Sequence, residues 1–263
     1  MHVLITGASA GIGAALAREF AAAGASLSLA ARRKELLDAL AADLKVPTHV
    51  AAVDLESPDA AVAFLAGAEE ALGPVDVLIN NAGIQIVERA VETEAARGRA
   101  MLDLDLVTPL VLSRAVLPAM LARRAGTIVD VASTAALAPT PGMWWYNAAK
   151  GGLAAASESL RGELRRSGVH VVTVYPGPID TDMGRAGYAA YPPQSGIALL
   201  PKGDAPTLAR KVRRAVERRR ARVIYPWFYT LTRWFPTVTR WFLDRGTPPP
   251  IPLAQRSRVD QAR

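Results

Sequence analysis

Tyr146 and Lys150 lie four residues apart in a segment that reads Trp145-Tyr146-Asn147-Ala148-Ala149-Lys150. On a helix this spacing places both side chains on one face, so that the ammonium group can favour ionisation of the phenol. A phenol has a pKa near ~10, and lowering it by about three units requires roughly 4 kcal/mol of differential stabilisation. The pair is a candidate for proton transfer, although surface helices also carry such pairs by chance.

Short apolar strands alternate with alanine-rich amphipathic helices from the first residue to about Tyr175, which is typical of a parallel sheet covered by helices on both faces. We therefore predict an α/β fold with a Rossmann-like, doubly wound parallel sheet of about seven strands. The strands are expected near residues 2–6, 25–31, 48–53, 75–80, 126–132, 169–175 and 221–225. Helices are expected to begin near Gly11, Arg33, Ser57, Glu94, Trp145 and Ala205, and another to span Met101 to Met120.

The composition limits the possible chemistry. The 263 residues, 51% of them apolar, fit one large domain. The chain has no cysteine, and its three histidines, His2, His49 and His170, lack the spacing of metal ligands, so no metal site is predicted. The chain starts directly with an apolar strand, so secretion is not expected. It has no run of 18 apolar residues, so no membrane-spanning helix is expected. A cytoplasmic location is therefore predicted.

The net charge of +7 is distributed unevenly. Residues 1–204 carry a net charge of −4, whereas residues 205–263 carry +11. Because the body of the protein has no basic excess that could follow a phosphate backbone, no nucleic-acid partner is predicted.

Residues 1–225 are predicted to form a dinucleotide-binding and catalytic domain. Within it, the glycines and prolines of residues 182–203 indicate a long lid loop, with Tyr188 and Tyr191 as possible pocket residues. Residues 226–246 are predicted to form an aromatic and basic helical extension, and residues 247–263 a disordered tail.

The segment 225–245 carries aromatic residues near helical spacing with arginines among them, and Pro236 should divide it into two short helices. One interpretation is peripheral contact with an anionic membrane, and the other is packing on the lid or on another subunit.

A glycine turn, Thr6-Gly7-Ala8-Ser9-Ala10-Gly11-Ile12-Gly13, follows the first strand and opens the first helix. Glycines at this place let the backbone approach a pyrophosphate, and the helix N-terminus supplies free N–H groups. The same residues spell the Gly-x-Ser-x-Gly elbow of hydrolases, but His170 is the only late histidine and opens an apolar strand. A P-loop would require Gly-Lys-Ser/Thr in place of Gly-Ile-Gly-Ala.

The second strand ends at Ala31-Arg32-Arg33, where an NAD-binding fold would carry an acidic residue for the ribose 2′-hydroxyl. Guanidinium groups suit a 2′-phosphate instead, so NADP(H) is expected in preference to NAD(H). The alternative is that both arginines are solvated first-turn residues of the next helix.

The order and spacing of these motifs resemble the short-chain dehydrogenase/reductase family, of the single-domain Tyr-x-x-x-Lys type, over roughly residues 1–185. The matching motifs are Thr6 to Gly13, Asp54-Leu55, Asn80-Asn81-Ala82-Gly83, Ser133, Tyr146 with Lys150, and Pro176-Gly177 followed by Thr181.

The resemblance implies a role for each matching residue. Tyr146 would exchange a proton with the substrate oxygen, Ser133 would hydrogen-bond that oxygen, and Lys150 would hold the nicotinamide ribose and lower the pKa of the phenol. The cofactor site would include the glycine turn with Gly7, Ser9, Gly11, Ile12 and Gly13, where Ser9 and Ile12 contact the phosphates, and Arg32 with Arg33 at the 2′-phosphate. Asp54 and Leu55 would border the adenine, and Asn81 would line the adenosine side. Ile179 and Thr181 would fix the carboxamide, and Gly83, Pro176 and Gly177 would also belong to the cofactor site.

One position departs from the family pattern. The family usually has an asparagine whose main-chain carbonyl holds a water in a proton relay to the lysine, and this chain has Asp105 there. If the relay uses only the main-chain carbonyl, it survives this change. The side chain would nevertheless place a carboxylate near Lys150, which would raise the pKa of the lysine and weaken its effect on Tyr146. On the substrate side, Met143, Trp144 and Trp145 could form either an apolar wall or part of the core.

The predicted function is an NADP(H)-dependent oxidoreductase acting on CH–OH groups, which interconverts a secondary alcohol and a ketone, with a lipophilic small molecule as substrate and a homodimer or homotetramer as the assembly. The alternative is a dinucleotide-binding scaffold or redox sensor with little turnover.

Overall fold

Seven parallel strands form one sheet in the computed structural model, which describes residues 1–193, 195 and 200–256. Most strands are apolar runs whose residues are buried on both faces, as expected for a sheet between two helix layers. The strands, each within two residues of its predicted bounds, are β1 His2–Thr6, β2 Ser26–Ala31, β3 Thr48–Ala52, β4 Val77–Asn80, β5 Gly126–Val131, β6 Val169–Pro176 and β7 Arg222–Tyr225.

Helices cover both faces of the sheet, so the predicted doubly wound fold is confirmed. One apolar core joins the sheet to the first, second and eighth helices through Phe20, Leu37 and Leu208, and the other joins it to the third and fifth through Phe64 and Leu112. The helices are α1 Gly11–Ala22, α2 Lys34–Asp43, α3 Pro58–Leu72, α4 Ala95–Leu102, α5 Thr108–Ala122, α6 Trp144–Glu163, α7 Asp182–Ala189, α8 Ala205–Glu217, α9 Thr230–Trp234 and α10 Pro236–Gly246.

The strand order β3-β2-β1-β4-β5-β6-β7 reverses direction at β1. Val3 of β1 pairs with Leu27 of β2 on one side and with Val77 of β4 on the other. The connections leaving the carboxyl ends of β1 and β4 therefore run to opposite sides and leave a crevice between them, which is where open α/β sheets bind ligands.

A five-residue π-helical turn, Asp103–Val107, joins α4 to α5 and interrupts the single helix expected from Met101 to Met120. The run Ala95–Ala122 is long and apolar enough to cross a membrane by length and composition. We interpret it as a core helix, because Leu112 and Val116 are buried in the domain core and the π turn buries a carboxylate. Such π turns often occur at functional sites.

Two expectations for loops were wrong. Residues 182–203 were predicted as one loop, but Asp182–Ala189 form α7, because the Thr181 side chain accepts a 3.1 Å hydrogen bond from the Gly184 N–H and caps the helix. Residues 194 and 196–199 of this predicted lid lie outside the described residues.

The predicted disordered tail is ordered over residues 247–256, which we call the C-terminal strap. Pro250 packs against Gly142, and its carbonyl accepts a 3.3 Å hydrogen bond from Arg89 Nε. The Ile251 N–H donates a 2.9 Å bond to the Ala190 carbonyl. These contacts satisfy backbone groups that a free proline-rich chain would expose to water. Residues 257–263 lie outside the described residues.

The helical extension is divided at Pro236 as predicted. Proline is the first residue of α10, where an N–H group would have no acceptor within the helix, so its absence costs no hydrogen bond. Glu158 of α6 anchors the extension by accepting a 3.2 Å hydrogen bond from Arg233 of α9. The same carboxylate also accepts hydrogen bonds from the Tyr175 hydroxyl at 2.8 Å and from Arg222 of β7. The Arg222 hydrogen bonds in particular hold the pKa of Glu158 well below its usual range.

Candidate active site

Tyr146 and Lys150 both lie on the buried face of α6, as their spacing predicted. The Lys150 ammonium donates a 3.1 Å hydrogen bond to the Val131 carbonyl at the end of β5 and lies 3.2 Å from Asp105 Oδ2. Ser133 follows β5 and begins a short 3-10 helix, where its Oγ accepts a 3.1 Å bond from the Ala135 N–H. Strand β5 and helix α6 therefore bring the phenol, the ammonium and the hydroxyl to the carboxyl end of the sheet.

The pKa of Tyr146 is raised, not lowered as the sequence led us to expect. Burial of the phenol is the largest cause, because it disfavours the phenolate. The Lys150 charge and hydrogen bonding from Ser133 act in the opposite direction, and the Asp105 charge adds to the rise. Lys150 thus stabilises the phenolate without overcoming burial in the protein alone.

Asp105 is fully buried at the π turn between α4 and α5. Its Oδ1 accepts a 2.9 Å hydrogen bond from the Ile84 N–H, and its Oδ2 faces Lys150. Burial raises the pKa of Asp105 against the opposing effect of the Lys150 charge. Burial alone would lower the pKa of Lys150, but Asp105 and Tyr146 together raise it, in the direction expected from the sequence.

The backbone at Gly83 closes over this ion pair. A Cβ added there would lie 2.7 Å from Asp105 Oδ2 and 3.2 Å from Lys150 Nζ, so a side chain would force the pair apart. Gly83 was predicted as part of the cofactor site, and the structure places it beside the Lys150–Asp105 ion pair.

Asn80 and Asp130, which sequence reasoning did not assign to the site, form a second polar layer behind Lys150. Asn80 Nδ2 donates a 2.8 Å hydrogen bond to Asp130 Oδ1 and a 3.1 Å bond to Ser113 Oγ. Burial raises the pKa of Asp130, while its carboxylate also favours the charge on Lys150. The signal was available, since each residue is a lone amide or carboxylate near the end of an apolar strand.

The glycine turn is closely packed against the start of the segment after β4. Asn81 Nδ2 donates hydrogen bonds to the carbonyls of Thr6 at 2.9 Å and Gly7 at 3.2 Å. A Cβ at Gly13 would lie 2.2 Å from the Gly7 carbonyl oxygen, and Gly7 has a φ of 69°. Only glycine fits at these two positions.

The N-terminus of α1 fits a phosphate group. Its N-cap is Ala10, which has no side-chain acceptor, so the N–H groups of the first turn have no side-chain cap within the described part of the chain. These donors and the positive end of the helix dipole face the crevice and suit an anion.

Arg32 and Arg33 lie on the same side of the crevice as the glycine turn. Arg33 Nη2 donates a 3.1 Å hydrogen bond to Ser9 Oγ, and Arg32 Nη1 pairs with Glu56 Oε1 at 3.4 Å. The Arg32 side chain is 63% exposed. The Arg33 guanidinium beside Ser9 and the exposed Arg32 guanidinium next to it in sequence fit an additional phosphate at this end of a dinucleotide.

All residues predicted for the site line one continuous cleft of about 890 Å³. Its lining includes Arg32 and Arg33, the glycine turn, and the group of Ser133, Tyr146 and Lys150. It also includes Ile179, Thr181 and residues of α7. The residues are therefore brought together, although the assignment of a role to each remains a prediction.

The substrate end of the cleft contains the predicted pocket residues Tyr188 and Tyr191, and the three residues before Tyr146 are divided between different surroundings. Met143 lines it together with Tyr188 and Tyr191, but Trp145 packs against Gly98 of α4 and Trp144 is exposed. The outer wall comes from the extension, which sequence reasoning had assigned to a membrane, the lid or another subunit. Its lining residues are Phe228, Tyr229, Leu231, Thr232, Val238, Thr239, Phe242 and Leu243.

A buried phenol and ammonium that share a cleft with an open helix N-terminus, at the switch point of a doubly wound sheet, define the class as a dinucleotide-dependent oxidoreductase. The family model described as short chain dehydrogenase matches residues 1–191. The chain belongs to the short-chain dehydrogenase/reductase family and is an enzyme acting on CH–OH or carbonyl groups.

Individual relatives agree with this assignment. The chain is 37% identical over 184 residues to a sulfoacetaldehyde reductase of Chromohalobacter salexigens, covering 68% of this chain and 73% of the relative. It is 35% identical over 186 residues to a short chain dehydrogenase of Pseudocercospora fijiensis, covering 69% of this chain but only 60% of that longer relative. A short-chain dehydrogenase from Sphingobium yanoikuyae, solved in complex with NADPH, superposes with a TM-score of 0.79 at 31% identity and covers 94% and 96% of the two chains.

Proposed function

We propose that this chain is an NADP(H)-dependent oxidoreductase that interconverts a lipophilic ketone and its secondary alcohol, with Tyr146 as the general acid and base. The observation that carries the proposal is the buried Tyr146–Lys150 pair in the same cleft as the uncapped N-terminus of α1. The fold does not require a phenol beside a buried ammonium to line a cleft. Proton transfer to a bound substrate does require it, which explains the position of the pair.

Reduction of a ketone adds a hydride to carbon and a proton to oxygen. The nicotinamide cofactor supplies the hydride when it is bound. As negative charge develops on the carbonyl oxygen, Ser133 donates a hydrogen bond to it, and the Tyr146 hydroxyl donates a hydrogen bond and then the proton. Lys150 stabilises the phenolate that remains, because its ammonium acts on the phenol to lower its pKa. Alcohol oxidation reverses these steps.

The residues of the cleft fit the cofactor in an extended arrangement. The first turn of α1, with Ser9 and Ile12, would hold the phosphates, and Arg32 and Arg33 would hold a 2′-phosphate. Asp54, Leu55 and Asn81 would border the adenosine, whereas Pro176, Gly177, Ile179 and Thr181 would hold the carboxamide end near Tyr146 and Lys150. The adjacency of Arg33 to Ser9 supports NADP(H) over NAD(H).

The apolar outer wall supports a lipophilic small-molecule substrate. Met143, Phe228 and Phe242 offer hydrocarbon and aromatic surface to a substrate that extends beyond its carbonyl group. The proposal also includes a cytoplasmic location and a homodimer or homotetramer as the assembly.

Arginine removal should alter cofactor selectivity. We expect the Arg32→Ala/Arg33→Ala variant to raise the KM for NADPH by at least about 100-fold, because it loses two charge-assisted hydrogen bonds that are worth about 1.5–3 kcal/mol each. The KM for NADH should change little. Initial rates with both cofactors measure this, and Lys34→Ala, which removes an exposed cation paired with Asp38, is the matched control. Equal effects on both cofactors would contradict a 2′-phosphate site.

The Asp105→Asn variant should shift the pH–rate profile to lower pH. Asp105 raises the pKa of Tyr146, so an uncharged amide lowers it. Oxidation needs the phenolate and rises with pH through this pKa, whereas reduction needs the phenol and falls as pH rises through it, so both limbs should move toward acid. Profiles of kcat/KM in the two directions measure the shift. An unchanged profile would show that this carboxylate does not tune the site.

The proposal as a whole is tested by a broad carbonyl panel with NADPH and NADH side by side. Oxidation of NADPH by at least one ketone, and its loss when Ser133 is replaced by alanine, would support it. Tight NADPH binding without turnover of any carbonyl would instead favour a dinucleotide-binding scaffold or redox sensor.

A further inference from the structure

Eight large apolar side chains on and just before α9 and α10 are exposed, and we call this surface the aromatic face. Their exposed fractions range from 39% for Phe228 to 75% for Trp227, and no residue of α10 is buried. Exposed apolar surface concentrated in one short segment marks an interaction site. The members are Trp227, Phe228, Leu231, Trp234, Phe235, Val238, Trp241 and Phe242.

The charges around the aromatic face favour an anionic partner. Residues 225–245 contain three arginines and a single acidic residue, Asp244, and residues 205–263 carry a net charge of +11. The Arg245 guanidinium lies 4.2 Å from the centre of the Trp241 ring. Tryptophan beside arginine suits the boundary between acyl chains and anionic headgroups, whereas a second copy would bring the same positive charge against itself.

The aromatic face includes the edge of the cleft. Phe228, Leu231, Val238 and Phe242 are exposed and also line the cleft that holds Tyr146. A surface that covered the aromatic face would therefore lie against the mouth of the cleft. Trp234 and Trp241, by contrast, are exposed without lining the cleft, so they can be changed without altering its wall.

We propose that the aromatic face docks on an anionic phospholipid bilayer and that the cleft takes a lipophilic carbonyl substrate directly from that bilayer. The second part rests on the proposed reductase function, and the docking does not. Apolar ketones concentrate in the acyl region of a membrane, so a cleft that opens at the bilayer surface meets them without their passage through water.

Flotation tests the docking with the full chain and vesicles of phosphatidylcholine containing about one-third phosphatidylglycerol. We expect the protein to float at low salt, and to float less at high salt or with phosphatidylcholine alone, because salt screens exposed charges. The Trp234→Ser/Trp241→Ser variant should bind at least about tenfold more weakly, since each ring loses its apolar contact with the membrane. Trp144→Ser, which removes an equally exposed tryptophan outside the aromatic face, should bind like the wild type.

A charge reversal provides an independent arm. Arg240→Glu/Arg245→Glu should abolish flotation, whereas Arg165→Glu/Arg166→Glu, with the same change of net charge beyond the far end of α6, should not. Equal loss in both variants would overturn docking through the aromatic face. Wild-type protein that does not float at low salt would also overturn it. In that case, an oligomer that Trp234→Ser/Trp241→Ser converts to monomers would show that the aromatic face is instead a contact between copies of the chain.

Turnover separates the two parts of the proposal. With tridecanone held in the vesicles and butanone free in solution, Trp234→Ser/Trp241→Ser should lose activity on tridecanone by about the factor by which it loses binding, and keep kcat/KM for butanone. Equal loss on both ketones would overturn substrate entry from the bilayer. Flotation with no turnover of any carbonyl would contradict the proposed function and leave the docking supported.

Discussion

Replacing Tyr146 with phenylalanine should lower kcat for carbonyl reduction by about 10²- to 10⁴-fold, which is the usual contribution of a positioned general acid. The change removes only the phenolic oxygen. The ring remains packed against Ile86, Met101 and Ala135, so the shape of the site and the position of α6 should persist. NADPH binding should remain close to that of the wild type, which fluorescence titration can measure beside steady-state kinetics.

Tyr225→Phe is a matched control for this experiment. Its hydroxyl bonds Asp204 Oδ2 at 3.0 Å, and the residue does not line the cleft, so the same chemical change there should leave kcat unchanged. If Tyr146→Phe kept kcat within about tenfold of the wild type, below the usual range for general acid catalysis, the proton would have another donor and the assignment of Tyr146 would be wrong.

The Lys150→Met variant should lose both activity and stability. It leaves the Asp105 carboxylate buried without its counter-ion, and breaking a buried ion pair from one side costs about 3–5 kcal/mol. Activity should fall as well, because the phenolate of Tyr146 loses the ammonium that stabilises it. Urea denaturation and kinetics with saturating NADPH measure the two effects separately.

The pH dependence of this instability has a definite sign. Without Lys150, burial raises the pKa of Asp105 further above its unfolded value of about 3.9. The folded variant then binds more protons than the unfolded chain, so its stability falls as pH rises above that value. The loss of unfolding free energy relative to the wild type should therefore be larger at about pH 8 than at about pH 5, since both lie above the unfolded pKa of about 3.9.

A double variant separates the structural from the catalytic role of Lys150. Lys150→Met/Asp105→Asn removes both charges and keeps an acceptor for the Ile84 N–H, so most of the lost stability and its pH dependence should be restored. The rate should remain low. Recovery of the rate together with stability would mean that Lys150 serves the fold and not the reaction.

The strands and most helices could be predicted because their signals are local. Apolar runs such as Val77–Asn80 form strands wherever both sheet faces are covered, and the seven strands agree with their expected bounds. The common position of the predicted residues in one cleft could be anticipated, because they belong to short motifs at the carboxyl ends of neighbouring strands. Ser133 after β5 and Asn81 after β4 meet in one crevice as soon as the strand order is known.

Features that depend on contacts distant in sequence could not be predicted. The raised pKa of Tyr146 results from burial among residues of other elements, which a count of nearby charges does not capture. The strap is ordered by Arg89 and Ala190, whereas its proline-rich composition alone indicates disorder. The aromatic segment was recognised, but its contribution to the cleft wall requires the position of α9, which Glu158 fixes from 75 residues away.

The outer wall of the cleft has a consequence for how this enzyme can diversify. The family model ends at residue 191, but the wall is formed by residues after 227. The residues proposed for proton transfer and the outer wall of the cleft thus lie in separate parts of the chain. Mutations that remodel α9 and α10 can change which molecules are admitted without disturbing the catalytic residues. Exchange of residues 226–256 between homologues should therefore give each chimera the substrate preference of the homologue that supplied the segment.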